Sequence, residues 1–359
     1  MPASAAGAEG RGRGSAIGPY TVLRGLDDEA SGIPVPERRF IGRAADGDRT
    51  VLISAPLPGA DPGRFLAEAE TSRYLLGPWS SPATEVAAPG DAPWHARPYV
   101  PALPLPAALT VHGGPLPERT VRALGAALAE TLAIGHGQDL AHAGVSPAAV
   151  LLAADGPRLT CFGAVRAAAG DGAPRSGLPG LESGSLPPEE AAGGRPHPAG
   201  DVYALGATLA YAATGYTVPE REELPAALRS VVTACLSRDP AARPRPAELL
   251  DALGPAPGPP APGGGATGPP TPAAGLGPAG PPTPAAGLDR AGPLSSAAGL
   301  DPTGPLSSAS ELGPAGNPAG RAAALLGPGW LPGRIIAALA RQSAELLAAT
   351  LPVPPAPQD

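Results

Sequence analysis

The sequence of 359 residues contains no lysine, and all 25 of its basic residues are arginine. Lysine is the compact, rotatable donor that phosphate-transfer sites normally use, so its absence argues against a nucleotide-transfer function. Aromatic residues make up only 3% of the chain. The two cysteines, Cys161 and Cys235, lie far apart and match neither a disulfide framework nor a metal-binding spacing. They predict reduced thiols in a cytosolic protein.

Charge and hydropathy exclude two further classes of protein. A net charge of −7 argues against a nucleic-acid-binding surface, which needs a clustered basic face. The start of the chain has no apolar segment of signal-peptide length, and the longest apolar stretch, 335–351, is interrupted by Arg341, Gln342 and Glu345. We therefore expect a cytoplasmic protein without a membrane span.

Composition divides the chain into four parts. The 50 glycines and 53 prolines demand at least one disordered tract. A twelve-residue repeat begins at Gly268 and runs four times, but each unit has too few large apolar residues to form a core. After the repeats, large aliphatic residues recur at helical spacing and predict an amphipathic helix that docks on a protein surface. The predicted parts are a disordered N-terminus (1–18), a folded domain (19–253), a disordered repeat linker (254–320) and the C-terminal helix (330–351).

The most informative segment runs from His142 to Leu152 and is followed by Cys161-Phe162-Gly163. It resembles the H-R-D-L-K-P-x-N and D-F-G segments of protein kinases, at the kinase spacing but without their reactive side chains. Each residue that carries chemistry in the kinase pattern has an unreactive replacement here: Gly144 for the aspartate base, Ser146 for the loop lysine, Ala149 for the metal-binding asparagine and Cys161 for the metal-binding aspartate.

Three further motifs follow in the kinase order. Pro188-Glu189 resembles the end of the A-P-E segment, and Asp201 opens a stretch similar to the start of the kinase's central helix. Asp239–Pro244 is similar to the D-P-x-x-R-P motif, whose arginine, here Arg243, pairs with the A-P-E glutamate. The resemblance, to bacterial eukaryotic-like Ser/Thr kinases, implies an α+β two-lobe fold with an N-lobe at about 19–105 and a C-lobe at about 106–253. It also implies structural roles for His142, Phe162, Gly163, Glu189, Asp201 and Arg243.

The N-lobe departs further from the kinase pattern. Asp27-Asp28-Glu29 stands where kinases need glycines whose N–H groups close over the phosphates, and we expect these carboxylates to repel phosphate. We assign the position of the kinase lysine to Ile53. Glu68 occupies the position of that lysine's partner, and with the lysine gone we expect it to be a solvated helix residue.

These replacements predict a pseudokinase that binds, regulates or scaffolds a protein partner, with an active kinase among the candidate partners. We expect no catalytic residue, no cofactor and no bound metal. One alternative is a Ser/Thr kinase with displaced catalytic groups that uses Asp139, Asp155 or Asp171 for metal. The other is a decayed kinase relic that folds without a role.

Overall fold

A computed structural model of the chain describes residues 15–27, 32–254 and 320–349. The four repeats lie outside the described residues, as do Asp28, Glu29 and all but the two ends of the predicted linker. The predicted disordered start needs a correction at its last residues, because Ala16–Ile17 form a strand, β1. This short strand pairs with the next one, with Ile17 opposite Tyr20.

The smaller lobe is an antiparallel sheet with one helix packed on it. The helix, α1 (Pro62–Ser72), begins at Asp61, whose carboxylate accepts hydrogen bonds from the N–H groups of Gly63 and Arg64. The strand order is β1-β2-β3-β4-β6-β5. The strands after β1 are β2 (Tyr20–Gly25), β3 (Glu37–Ala44), β4 (Thr50–Pro56), β5 (Glu85–Val86) and β6 (His95–Pro98).

The larger lobe is helical and is built around α3 (Glu118–His136), the long helix whose apolar residues recur at helical spacing. This helix is buried on most sides because α6 and α8 both pack against it, and Gly125 allows the close approach of Leu209 and Leu253. The other helices are α2 (Leu105–His112), α4 (Ala164–Ala168), α5 (Pro188–Ala191), α6 (Pro198–Thr214), α7 (Ala226–Cys235) and α8 (Pro246–Leu253).

A second, three-stranded sheet lies where the two lobes meet. It consists of β7 (Ala102–Pro104), β8 (Val150–Ala153) and β9 (Gly156–Leu159), in that order. The β8–β9 hairpin is the one that its short apolar runs and intervening Asp155-Gly156 predict. Together the sheet-rich small lobe and the helical large lobe confirm the predicted protein-kinase-like fold.

The C-terminal segment 320–349 packs back on this domain and belongs to the same compact unit. Its helix, α9 (Gly333–Ala348), buries a stripe of side chains that includes Ile335, Leu339 and Leu346. The structure thus places the predicted amphipathic helix on the chain's own domain. Within the described part of the chain, no helix has both the length and the hydropathy that crossing a bilayer requires.

The ion pair predicted between Glu189 and Arg243 is present in the larger lobe. The Nη1 and Nη2 atoms of Arg243 donate to the two Glu189 carboxylate oxygens, at 2.5 and 3.0 Å. The guanidinium also donates to the carbonyls of Ser237 and Ala199. Because the Arg243 side chain has no exposed surface, it joins the start of α5 to the segment before α8 without competition from water.

We predict that Arg243→Ala destabilises the fold by about 3 kcal/mol, because removal of one partner leaves a largely buried carboxylate without its counter-charge. Glu189 keeps some contact with water, which places the loss at the lower end of the range for buried pairs. Chemical denaturation measures it. The matched control is Arg245→Ala, which removes an exposed pair with Glu248 and should leave the midpoint unchanged. Equal midpoints for both variants would contradict the prediction.

Candidate functional site

Asp201, on α6, holds in place the loop that resembles the kinase catalytic loop. Its two carboxylate oxygens accept hydrogen bonds from the N–H groups of His142 and Ala143, each at 2.7 Å, and one of them also contacts His136 Nε2 at 2.8 Å. Asp201 therefore anchors the loop and does not cap α6, whose N-cap position is His197. The loop frame is therefore intact.

Gly144, at the position of the kinase base, has no room for any side chain. A Cβ atom built on it would lie 1.9 Å from the carbonyl oxygen of Cys161. Cys161 itself adopts a left-handed backbone with φ of 60°, a conformation that is uncommon for a residue other than glycine. The two kinase-like loops thus touch through their backbones at the point where a kinase has its two aspartates. The base is absent, and the space for it is absent too.

The other replaced positions have structural roles. Ser146 accepts a hydrogen bond from the Ala149 N–H and caps the 3₁₀ turn Pro147–Ala149. Ala149 is fully buried. Phe162 meets His142 edge to face, with ring centroids 5.4 Å apart, and burial lowers the pKa of His142 to about 4. His142 is therefore a neutral packing residue near neutral pH.

Cys161 is an inert thiol. Burial raises its pKa to about 12, and its Sγ lies 3.4 Å from Thr160 Oγ1 and 3.6 Å from Glu37 Oε1. A thiol with so high a pKa is a poor nucleophile near neutral pH, because the reactive species is the thiolate.

The expectation that Glu68 is a solvated helix residue is wrong. Arg166, on α4, donates from Nε and Nη2 to the two Glu68 oxygens, both at 2.8 Å. The pair is largely buried and closes over Gly163, whose added Cβ would lie 2.1 Å from Glu68 Oε2. In the kinase pattern this helix glutamate pairs with a lysine from the sheet. Here Glu68 pairs with Arg166, which lies just after the Phe162-Gly163 turn.

The assignment of the kinase lysine position to Ile53 also needs correction. Ile53 packs on the face of the sheet that also holds Tyr20 and Trp94. The next residue of β4, Ser54, points the other way and donates from Oγ to Glu37 Oε1 at 2.8 Å. Since side chains alternate along a strand, the position that faces the polar group between the lobes is Ser54.

Arg39 fills the part of the cleft next to the kinase-like loops. Its Nη1 donates to the Ala148 carbonyl at 2.8 Å and to Thr160 Oγ1 at 3.3 Å. Nε donates to Asp27 at 2.9 Å, and Nη2 forms a salt bridge with the same carboxylate. The pairing with Asp27 raises the pKa of Arg39 despite burial. Asp27, expected to repel phosphate, is instead neutralised by this arginine.

Beside Arg39 lies a chain of buried polar side chains. Arg97 Nη2 contacts His95 Nδ1 at 3.1 Å, and His95 Nε2 lies 3.4 Å from Glu37. Burial lowers the pKa of His95, so the neutral ring accepts from Arg97 through Nδ1 and donates to Glu37 through Nε2. Burial opposes ionisation of Glu37, but His95, Arg97 and Arg39 outweigh it and lower its pKa to about 2.

These buried polar side chains border a cavity of about 340 Å³ between α1, Phe162 and the segment near Leu181. Most of its lining is apolar, with Glu37, His95 and Arg97 at one side. The opposite end of the cleft is closed. There an aliphatic cluster joins both lobes and contains Leu23, Leu26, Ile41, Leu52, Ala102, Leu151, Ala153 and, from α9, Leu346.

The metal ligands of the alternative kinase hypothesis are not brought together. Asp155 pairs with Arg158 and Asp171 with Arg175, while Asp139 lies in a turn after α3. Among the described residues, no group of three or more His, Cys, Asp or Glu side chains is arranged to hold a metal ion.

Sequence comparison agrees with this geometry. The chain is similar to the probable serine/threonine-protein kinase PkwA of Thermomonospora curvata, with 34% identity over 259 residues, which cover 66% of this chain and 34% of PkwA. It is also similar to the serine/threonine-protein kinase AfsK of Streptomyces coelicolor, with 31% identity over 264 residues, 67% of this chain and 32% of AfsK. No protein-family model matches the chain.

The chain therefore contains a protein-kinase-like domain related to those of bacterial Ser/Thr kinases. It spans about a third of the length of these two relatives.

Three arginines of the site escape sequence reasoning. Arg39, Arg97 and Arg166 match no motif, and Arg39 and Arg166 find their partners on other elements. The one available signal is the composition of the strands: β3 reads Glu-Arg-Arg and β6 reads His-Ala-Arg, and charged residues at alternating positions of buried strands must be paired.

We predict that Gly144→Ala destabilises the fold by about 1–3 kcal/mol or more, because its Cβ forces the two loops apart. Gly144→Asp should act in the same direction and should not create activity. Thermal and chemical denaturation measure the loss. Gly25→Ala is the control, since nothing lies within 4 Å of its added Cβ. A Gly144→Ala protein as stable as the Gly25→Ala protein would show that the loops separate freely.

Proposed function

We propose that this kinase-like domain is a pseudokinase that binds a protein partner and does not transfer phosphate. The observation that carries the proposal is the Arg39–Asp27 pair beside the two degenerate loops. It fills with protein charge the region next to the residues that would have to hold the metal and the phosphates.

Phosphoryl transfer depends on positioned metal ions and on a residue that orients the attacking hydroxyl. Ala149 and Cys161 stand at the metal-ligand positions, and neither offers an oxygen donor from its side chain. Gly144, at the position of the base, is packed against the Cys161 carbonyl. Loss of the metal ligands and loss of the base are separate defects, so no single compensating residue restores both.

Arg39 does not substitute for the missing kinase lysine. All three of its guanidinium nitrogens are engaged, by Asp27, by the Ala148 carbonyl and by Thr160. The side chain has no exposed surface. A phosphate would have to displace Asp27 from this guanidinium, at the cost of a charge-assisted bidentate pair in a dry site.

The retained contacts support a role over a decayed relic. Asp201 still anchors the loop, Arg243 still pairs with Glu189, and the charges in the cleft are mutually satisfied. We therefore propose a regulatory or scaffolding module of cytoplasmic signalling. The kinship with Ser/Thr kinases makes an active kinase a candidate partner.

Mg-ATP binding tests the proposal. We predict no rise in the melting temperature of the full chain at millimolar ATP with Mg²⁺ or Mn²⁺, and no transfer of labelled phosphate to the chain or to a generic substrate. A ligand present at 100 times its Kd would add about 2.7 kcal/mol. A competent bacterial Ser/Thr kinase under the same conditions is the positive control.

A saturable, metal-dependent rise in melting temperature together with phosphate transfer would overturn the proposal in favour of a kinase with displaced catalytic groups.

A further inference from the structure

The C-terminal segment has two parts that are held with different strength. The first part, residues 320–331, is called the anchor. Its first residues bind Glu130, a fully buried carboxylate in the middle of α3. One oxygen of Glu130 accepts from the Gly320 N–H and the other from the Ala322 N–H, both at 2.8 Å. Withdrawal of the anchor would strip both hydrogen bonds from a carboxylate in the core, so this attachment is firm.

Trp330 fixes the other end of the anchor. Its Nε1 donates to the Ala154 carbonyl at 2.8 Å, and its own carbonyl accepts from Thr120 Oγ1 at 2.7 Å. Its ring and the Leu331 side chain belong to the main core of the larger lobe. The anchor is thus part of the domain, and α9 starts immediately after it, at Pro332 and Gly333.

The second part is α9 itself, which lies against α2. Ile335 and Leu339, in its first half, belong to the main core of the larger lobe, and its C-terminal end reaches the cleft. Its last buried residue, Leu346, joins the cluster of aliphatic side chains that closes the cleft and contacts both lobes. On the smaller lobe, Arg43 donates to the carbonyls of Leu346 and Ala349, the latter at 2.9 Å. These lie at the helix C-terminus, where carbonyls have no partner within the helix. The cleft therefore receives the C-terminal end of α9, through the Leu346 side chain and two backbone carbonyls.

The fit of α9 is imperfect at one position. Gln342 lies on the buried stripe with only 4% of its surface exposed, yet neither its Oε1 nor its Nε2 has a hydrogen-bond partner. Near the C-terminal end of α9, Arg43 Nε is also buried without a partner. The Arg24–Glu345 ion pair is solvent-exposed and adds little. Docking of α9 thus costs hydrogen bonds that Gln342 makes to water when the helix is released.

We propose that the face of α2 and the adjoining end of the cleft form a helix-binding groove, that α9 is its resident ligand, and that an amphipathic helix of a partner protein displaces α9 by docking in its place. The partner helix presents large aliphatic side chains at the spacing of Ile335, Leu339 and Leu346 and ends in free carbonyls for Arg43. It carries an apolar residue where α9 has Gln342, which gives it the tighter fit. This inference rests on the proposed function, to which it adds the kind of partner.

Hydrogen exchange of the full chain tests whether α9 releases on its own. We expect amides 337–348 to exchange faster than the anchor and α6. Leu346→Asp should speed exchange in α9 by at least about ten-fold, the equivalent of one buried leucine, and leave the anchor protected. Gln342→Leu should slow it. Leu347→Asp is the matched control, because Leu347 is on the same turn but 82% exposed, and it should change nothing. Leu346→Ala gives the same direction should the aspartate impair folding.

A synthetic peptide of residues 332–349, labelled with fluorescein, tests the groove directly. The peptide should bind the Leu346→Asp chain, whose own α9 is the weaker competitor, at least ten-fold more tightly than the wild-type chain, where the intact α9 competes from the same molecule. The same peptide with Gln342→Leu should bind the wild-type and the Leu346→Asp proteins more tightly. Arg43→Ala in the protein should weaken the binding of both peptides. A peptide carrying Leu346→Asp is the negative control.

Two results overturn the inference: no peptide binding to the Leu346→Asp chain, or exchange in which α9 and the anchor open together. The nucleotide assay separates this outcome from the fate of the proposed function. A chain that binds Mg-ATP and also binds the peptide refutes the pseudokinase proposal and keeps the groove. A chain that binds neither refutes the groove alone.

Discussion

The buried guanidinium of Arg39 is the constraint around which the cleft is organised. A charge without exposure to water must be paired, and this one draws Asp27 from the turn after β2, the Ala148 carbonyl from the loop and Thr160 from the end of β9 into one place. Those three segments come from both lobes. Arg39 and Asp27 belong to the smaller lobe, so it is the hydrogen bonds from Arg39 to the Ala148 carbonyl and to Thr160 that join the two lobes beside the kinase-like loops.

The fold could be predicted from the sequence because it rests on local and ordered signals. The spacing from His142 to Phe162-Gly163, the apolar period of α3 and the pair of Glu189 with Arg243 each survive replacement of the catalytic residues. These features depend on packing and backbone geometry. The catalytic residues of the kinase pattern depend on chemistry instead, so they can be replaced while the structural residues stay.

For the site, the sequence predicts which kinase motif residues are replaced but not the new contacts of the residues around them. A one-residue ambiguity in β4 exchanges the two faces of the strand, so the sequence alone points to Ile53 for the position that Ser54 occupies. The new partner of Glu68 lies on α4, far away in sequence, and no periodicity indicates which arginine it meets. Replacement of a motif residue can be read from a sequence, whereas the contact that compensates for it depends on tertiary structure.

The proposed loss of phosphate chemistry and the proposed peptide groove depend on the same features of the cleft. A nucleotide site must keep open volume and unpaired donors, both of which are costly in a folded protein. Here Arg39 and Asp27 satisfy each other at one end, and Leu52, Leu151 and Leu346 fill the other. A cleft in which Arg39 is paired with Asp27 at one end and aliphatic side chains fill the other has little to offer a triphosphate. Its remaining specificity, an apolar stripe and Arg43 at the rim, is suited to the end of a helix.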